Sequence, residues 1–210
     1  ASGTATVLNG ATTTTVGVTL NNDTVYENSE NFTVTLSNPL NAIIGDATGV
    51  ATITNDDAGP NITINDPAIT EGSNAPFVVS LSTLAAVDIT VDWATSDGTA
   101  IAGTDYTANS GTVTVLAGAT SSAVLNIATT DDSLDEAVTT FNMDLSNASA
   151  GTITDSQGVA SLTDNDAEPT ISVDDVVVTE GGVATFTATI NAASGKNVTF
   201  DWTSTNGTAL

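Results

Sequence analysis

Acidic side chains in four short clusters are the groups of this chain whose types and spacing could do chemistry: Thr70-Glu71-Gly72, Gly103-Thr104-Asp105-Tyr106, Thr130-Asp131-Asp132-Ser133-Leu134-Asp135-Glu136 and Asp164-Asn165-Asp166. Thirteen acids fall at expected strand ends: Asp23, Glu27, Glu30, Asp56, Asp57, Glu71, Asp105, Asp131, Asp132, Glu136, Asp164, Asp166 and Glu180. Like charges about 4 Å apart repel by roughly 4 kcal/mol at an effective dielectric of 20, so acids gathered in this way need a compensating cation or open solvent. Calcium suits such a set, because it takes about six to eight oxygens from carboxylates and carbonyls and tolerates irregular geometry. The plainer reading is local: Asp and Asn favour turns by bonding their own backbone. Asp46, Asp88, Asp97, Asp144 and Asp155 are read that way, while Asp66, Asp174 and Asp175 fit either.

Other chemistries find little support. Asp135 and Glu136 form a carboxylate pair of the kind that hydrolyses glycosides, but no cleft signature surrounds them. Serine chemistry lacks a base, since the chain has no histidine and a single lysine, Lys196. The absence of cysteine excludes thiol catalysis and cysteine metal sites. With 25 acids against one base the net charge is −24, which excludes nucleic-acid binding and disfavours an anionic membrane surface. No apolar run approaches the roughly 18 residues of a membrane span. No signal segment precedes Ala1, but the chain begins inside a repeat, so this says nothing about secretion.

The elements that must carry these acids are strands. Phe32-Thr33-Val34-Thr35-Leu36, Phe77 to Leu81, Phe141 to Leu145 and Phe186 to Ile190 place bulky apolar residues at alternate positions, the pattern of half-buried strands. Clusters of Gly, Asn and Asp about 8 to 12 residues apart separate them, which predicts an all-β fold of antiparallel, immunoglobulin-like sandwiches with about seven strands each. Trp93 and Trp202 are expected to pack inside, and Tyr106 to anchor a turn.

The sequence also repeats. Pro60, Ile62, Glu71, Asp92, Trp93 and Gly98 recur 109 residues later as Pro169, Ile171, Glu180, Asp201, Trp202 and Gly207, and Asp23, Glu27, Phe32 and Asp57 recur as Asp132, Glu136, Phe141 and Asp166. Ser2-Gly3-Thr4 matches Ser110-Gly111-Thr112 at an offset of 108. A period this long is a domain, since solenoid repeats run about 20 to 50 residues. The expected organisation is residues 1–58 as the C-terminal half of one unit, 59–167 as a complete unit and 168–210 as the N-terminal half of the next. The acidic junctions Asn55 to Pro60 and Asp164 to Pro169 leave little freedom between units.

Taken in order and at matching spacing, Thr70-Glu71-Gly72, Asp92-Trp93, Ser96-Asp97-Gly98-Thr99-Ala100, Gly103-Thr104-Asp105-Tyr106, Ser110-Gly111-Thr112, the Asp131–Glu136 run and Asp164-Asn165-Asp166 resemble the Calx-β domain, a family of sodium/calcium exchanger regulatory domains and bacterial surface repeats. The resemblance implies Ca2+ ligands at Glu71, Asp105, Asp132, Glu136, Asp164 and Asp166 in the complete unit. It also implies Asp23, Glu27, Glu30, Asp56 and Asp57 in the first half-unit and Glu180 in the last. The counterpart of Glu30 in the complete unit is Thr139, a departure that implies fewer ions or weaker binding.

The expected function is a non-catalytic structural or adhesive module of a long extracellular bacterial surface protein or fibre, stiffened by calcium at strand ends and junctions. A calcium-sensing regulatory domain is the alternative, and a carbohydrate-binding module using exposed tryptophans is a third. Neighbouring copies or repeats, head to tail, are the expected partners, with a surface glycan or protein as a further target. An isolated half sandwich leaves an open core and open strand edges. Residues 169–210 of one copy are therefore expected to complete residues 1–59 of another.

Overall fold

A computed structural model of the chain describes residues 1–208. Ala209 and Leu210, the end of the expected third segment, lie outside the described residues. Two compact units emerge, Ala1–Asp57 and a second from Ala58 onward.

In the first unit, β1 (Glu30–Thr35) and β2 (Thr48–Ile53) pair antiparallel with Phe32 opposite Ala51. Asn38 and Asn41 take left-handed backbone in the connection, at φ 49° and 62°, a conformation that asparagine tolerates better than most residues. No described residue of this unit is buried.

The second unit contains β3 (Asn61–Ile64), β4 (Ala68–Thr70), β5 (Asn74–Phe77), β6 (Val79–Leu81), β7 (Ile89–Asp97), β8 (Ser110–Val115), β9 (Leu125–Ala128), β10 (Thr139–Ser146), β11 (Thr152–Ile153) and β12 (Gln157–Thr163). A hairpin of β13 (Ile171–Val173) and β14 (Ala188–Ile190) follows. The main sheet has the order β4-β12-β10-β7-β8, while β11-β3-β6 and β5-β9 make up the rest. Among the described residues there is no helix.

Ten strands stand between Asn61 and Thr163 where about seven are expected, because two runs are cut and a short strand is added. Asn65-Asp66-Pro67 breaks the first run, so that β3 joins one sheet and β4 the other. Its proline has no N–H to continue a ladder. Val78 separates β5 from β6, its N–H turned to Asn65 Oδ1 at 2.6 Å. Two pairings are parallel, β4 with β12 and β3 with β11, against the antiparallel expectation.

Period-two patterning sets the core. Phe141, Met143 and Leu145 of β10 and Ile89, Val91 and Trp93 of β7 are buried on one face. Phe141 is the hub: the Tyr106 ring stacks on it at 4.2 Å between centroids, and Phe77 meets it edge-on at 5.9 Å. Truncating such a ring costs about 3 to 5 kcal/mol. Gly158 lets β12 approach closely, since a Cβ there would lie 2.6 Å from the Asn65 carbonyl oxygen and 3.0 Å from Phe77 Cε1.

The tryptophans divide. Trp93 is 9% exposed, as expected of a packed residue, but Trp202 is 84% exposed. The expectation of a buried Trp202 is corrected for a physical reason: among the described residues, the strands that cover Trp93 in the complete unit have no counterpart after β14. No described residue from Pro169 onward is buried.

Candidate metal centre

Parallel pairing of β4 with β12 places Thr70 opposite Thr163, so two strands end together and release Glu71 and Asp164 side by side. The Glu71 N–H donates to the Thr163 carbonyl at 3.1 Å, which carries the pairing one residue further. Gly72 then turns the chain with φ +73°, a region that favours glycine, and its N–H donates to the Thr130 carbonyl at 3.2 Å. A Cβ at Gly72 would come within 2.8 Å of the Asp131 Cβ, so this turn and the Asp131–Glu136 loop are in contact. The turn carrying Asp105 is tied to the same loop by the Thr130 N–H, which donates to the Asp105 carbonyl at 2.9 Å.

At the centre, Glu71, Asp164 and Asp166 each bring a carboxylate oxygen within 4.8 Å of the others, all half-buried. Asp166 Oδ2 is buried with no hydrogen-bond partner. Asp164 Oδ1 accepts from the Asp166 N–H at 3.3 Å, and Asp131 Oδ1 accepts from the Asn165 side chain at 2.8 Å. Burial pushes the Glu71 carboxyl up to about 6; the Asn165 backbone N–H opposes this, and the charges of Asp164, Asp132 and Asp166 add to it. Burial likewise raises Glu136, helped by Asp132, Asp105 and Asp164. Asp132 and Asp164 thus act on both Glu71 and Glu136, while Asp166 acts on Glu71 and Asp105 on Glu136. Two are also held locally: Asp132 Oδ1 accepts from the Leu134 N–H at 2.7 Å and Asp105 Oδ2 from the Ile101 N–H at 2.7 Å.

The first unit gathers its acids less tightly. Glu27 is raised by burial and by Asp23, Glu30 and Asp57, and Asp57 by burial and by Asp56 and Asp23. Asp23 Oδ1 accepts from the Val25 N–H at 2.9 Å, repeating the Asp132–Leu134 turn one period earlier. Among the described residues, no second triple comes as close as Glu71, Asp164 and Asp166. Glu180 is exposed in a turn and raises no other acid of the expected set.

Several residues matter that sequence reasoning left aside. Asp135, the acid beside Glu136, is 5% exposed and holds Lys196 and Ser194, and it also lies against Asp164 of the cluster. Asp97 is no mere solvated turn residue: its Oδ1 accepts from the Tyr106 hydroxyl at 2.7 Å and from the Ala102 N–H at 2.9 Å. Asp144 lies within β10 and bonds Ser96 and Gln157. Trp93 cannot offer a stacking platform, because it is buried and Gly111 lies against its ring.

The family model described as the Calx-beta domain matches residues 2–59 and 55–175. Among solved structures, "Crystal structure of Apo-form Calx CBD1 domain" is similar at 20% identity and TM-score 0.48, covering 51% of this chain and 99% of that one. "Crystal structure of calcium binding domain CBD12 of CALX1.1" is similar at 22% identity and TM-score 0.47, covering 50% of this chain and 44% of that one. "Crystal structure of CBD12 from CALX1.2" gives 19% identity and TM-score 0.48, over 55% of this chain and 49% of that one. No curated protein matches the sequence.

Proposed function

The chain belongs to the Calx-beta domain family, and from that premise we propose that its complete unit is a non-catalytic, calcium-binding β-sandwich module, one link of an extracellular bacterial surface or fibre protein. The observation that carries the calcium reading is the half-buried Glu71, Asp164 and Asp166 triple with its orphaned Asp166 Oδ2. An all-oxygen donor set with no soft ligand, whose one neighbouring base Lys196 is paired with Asp135, fits a hard divalent cation. Glu71, Asp164 and Asp166 would hold the ion, and Asp132, Glu136 and Asp105 add negative charge nearby. Bound calcium supplies positive charge that cancels the repulsion among these acids and ties the ends of β4 and β12 to the loop before β10. The surface or fibre role rests on the tandem repeat, the short acidic junctions and the near absence of basic residues.

A calcium sensor is the second reading, and one contact favours it. A Cβ added at Gly195 would lie 2.9 Å from Glu136 Cγ and 3.0 Å from its Oε1, so a shift of Glu136 on binding would press on the segment that follows. Affinity separates the two. Extracellular modules bind at about 10⁻⁴ to 10⁻³ M and sensors at about 10⁻⁷ to 10⁻⁵ M.

The test is thermal unfolding of the full chain in excess chelator and across a calcium titration. Calcium at about a thousand times its dissociation constant stabilises the fold by about 4 kcal/mol. The expected outcome is a calcium-specific rise in melting temperature with a midpoint in the weaker range. No rise at millimolar calcium overturns the calcium reading.

A further inference from the structure

The complete unit meets the repeat that follows it through one residue. Asp135, in the segment before β10, forms an isolated parallel bridge with Ser194, in the loop after β14. The Gly195 N–H donates to the Asp135 carbonyl at 3.0 Å, and the Ser194 hydroxyl reaches that carbonyl and Asp135 Oδ2 at 3.2 Å each. Lys196 Nζ completes the contact at 2.6 Å from Asp135 Oδ1. Among the described residues, every hydrogen bond between residues 59–167 and the segment from Pro169 onward is made by Asp135. Asp135 is also the one buried charged side chain among them. The contact joins two polar loops and uses none of the apolar side chains left open in the incomplete repeats.

One period earlier the same positions carry a different set. Tyr26 stands where Asp135 does, and Ala85-Ala86-Val87 where Ser194-Gly195-Lys196 does. Acid, hydroxyl and base are thus exchanged together for a ring and aliphatic groups. A buried acid that loses its base remains as an uncompensated charge, whereas apolar groups in place of both partners cost little. Asp135 set against an Ala-Ala-Val loop would lose the Ser194 and Lys196 side chains at once. A tyrosine at position 135 set against Ser-Gly-Lys would leave the lysine and the hydroxyl without their acceptor. Gly195 adds a steric condition, since a Cβ there would lie 2.9 Å from Glu136 Cγ. Each exchange by itself creates a mismatch, and discrimination between partners comes from such penalties as much as from favourable contacts.

We propose that residue 135 and the loop 194–196 form a matched set that selects the following repeat: the complete unit accepts a neighbour whose loop presents Ser-Gly-Lys and rejects one whose loop presents Ala-Ala-Val. The patch around Asp135 is then an interface that fixes the order of repeats along the chain. Its partner is a sandwich repeat that offers one base and one hydroxyl to a buried carboxylate. The selection does not depend on the metal reading.

Exchange of the set in the full chain tests it, with every measurement made in chelator. Asp135→Tyr, Ser194→Ala with Lys196→Val, and all three substitutions together are compared with the parent; Gly195 is kept so that Glu136 is undisturbed. Hydrogen exchange of the Gly195 amide reads the junction, because its acceptor is the backbone carbonyl of residue 135 and survives every substitution. Thermal unfolding reads the fold. Each partial exchange is expected to speed Gly195 exchange several-fold and to lower the melting temperature. The full exchange is expected to recover most of both losses. Asp135→Asn with Ser194→Ala and Lys196→Val removes the charge without supplying an apolar partner, and is expected to recover less. Asp135→Leu with the same loop substitutions, a smaller apolar partner, stands beside the tyrosine form in case the larger ring does not fit. Losses that simply add in both apolar forms overturn the proposal, as does an unprotected Gly195 amide in the parent. Recovery by the asparagine form as complete as by the apolar ones also overturns it, and reduces the contact to an ion pair.

Discussion

Lys196 Nζ, the only basic side chain of the protein, lies 2.6 Å from Asp135 Oδ1. The Ser194 hydroxyl donates to the other carboxylate oxygen at 3.2 Å, and the Gly195 N–H donates to the Asp135 carbonyl at 3.0 Å. The hydrogen bond from Lys196 is the main reason that Asp135 is held below the usual carboxylate range, against the cost of its burial. One period earlier the same positions are Tyr26 and Ala85-Ala86-Val87, so this clasp belongs to one junction and not to the repeat in general.

Removing the lysine alone strands a buried carboxylate, whereas removing both charges does not. Lys196→Met is therefore expected to lower the melting temperature more than Asp135→Asn combined with Lys196→Met. The Asp135 value is lower folded than unfolded, so the pair stabilises above the ordinary carboxylate range, and that stability disappears as pH falls through the folded value. A double-mutant cycle by thermal unfolding reads both effects; strictly additive single and double variants would rule the coupling out.

Substitution at the triple should change sign with calcium. Asp166→Asn removes one of three crowded charges, so in chelator the variant is expected to unfold at the same temperature as the parent or higher. In saturating calcium it is expected to lose most of the metal-induced shift. A variant that is equally destabilised in both conditions would mean that Asp166 serves the fold and not an ion.

The Glu71 carboxyl near 6 gives a pH window. Its folded value lies above its unfolded value of about 4.5. In chelator the folded state then binds more protons between the two, and stability is expected to fall as pH rises through that window. Calcium must displace the proton, so its apparent affinity is expected to rise with pH up to about 6 and level off above. Calcium titrations monitored by calorimetry at pH 5 and 7 check this, and Glu71→Gln should flatten the dependence.

How much of this was legible beforehand depended on range along the chain. Phe141, Met143 and Leu145 announced a strand because alternate positions on one strand share a face, a local rule. The six acids of the complete unit could be placed together through the family resemblance alone, because Glu71 and Asp164 meet by a parallel pairing across more than ninety residues. No local pattern encodes that pairing. Asp97 and Asp135 were missed for a related reason. Both look like ordinary loop acids in sequence, and only their partners Tyr106 and Lys196, brought in by the fold, reveal their roles. Trp202 misled because its sequence context copies that of Trp93, while burial depends on strands outside that context.

Gly158→Ala should show how closely β12 is packed. The added methyl would meet the Asn65 carbonyl oxygen, Ile64 Cγ1 and Phe77 Cε1 at 2.6 to 3.0 Å, and backbone on one side cannot yield cheaply. Overpacking of this kind costs about 1 to 3 kcal/mol. Chemical denaturation is expected to show a lower midpoint with an unchanged slope.

Tyr106 and Asp97 separate the stability of the acidic turn from its metal affinity. Burial and the Asp97 carboxylate together push the Tyr106 hydroxyl up to about 12, so it stays protonated and donating at any working pH. Tyr106→Phe removes that one bond and keeps the ring stacked on Phe141; a hydrogen bond to a charged group is worth about 1.5 to 3 kcal/mol. The turn itself is still held by the Ala102 N–H on Asp97 and by the Thr130 N–H on the Asp105 carbonyl. Tyr106→Phe is therefore expected to lower the melting temperature equally with and without calcium. Asp97→Ala removes the hydroxyl and amide acceptor together and frees the segment that carries Asp105. It is expected to reduce both stability and calcium affinity, and unchanged affinity in that variant would place Asp105 outside the ligand set.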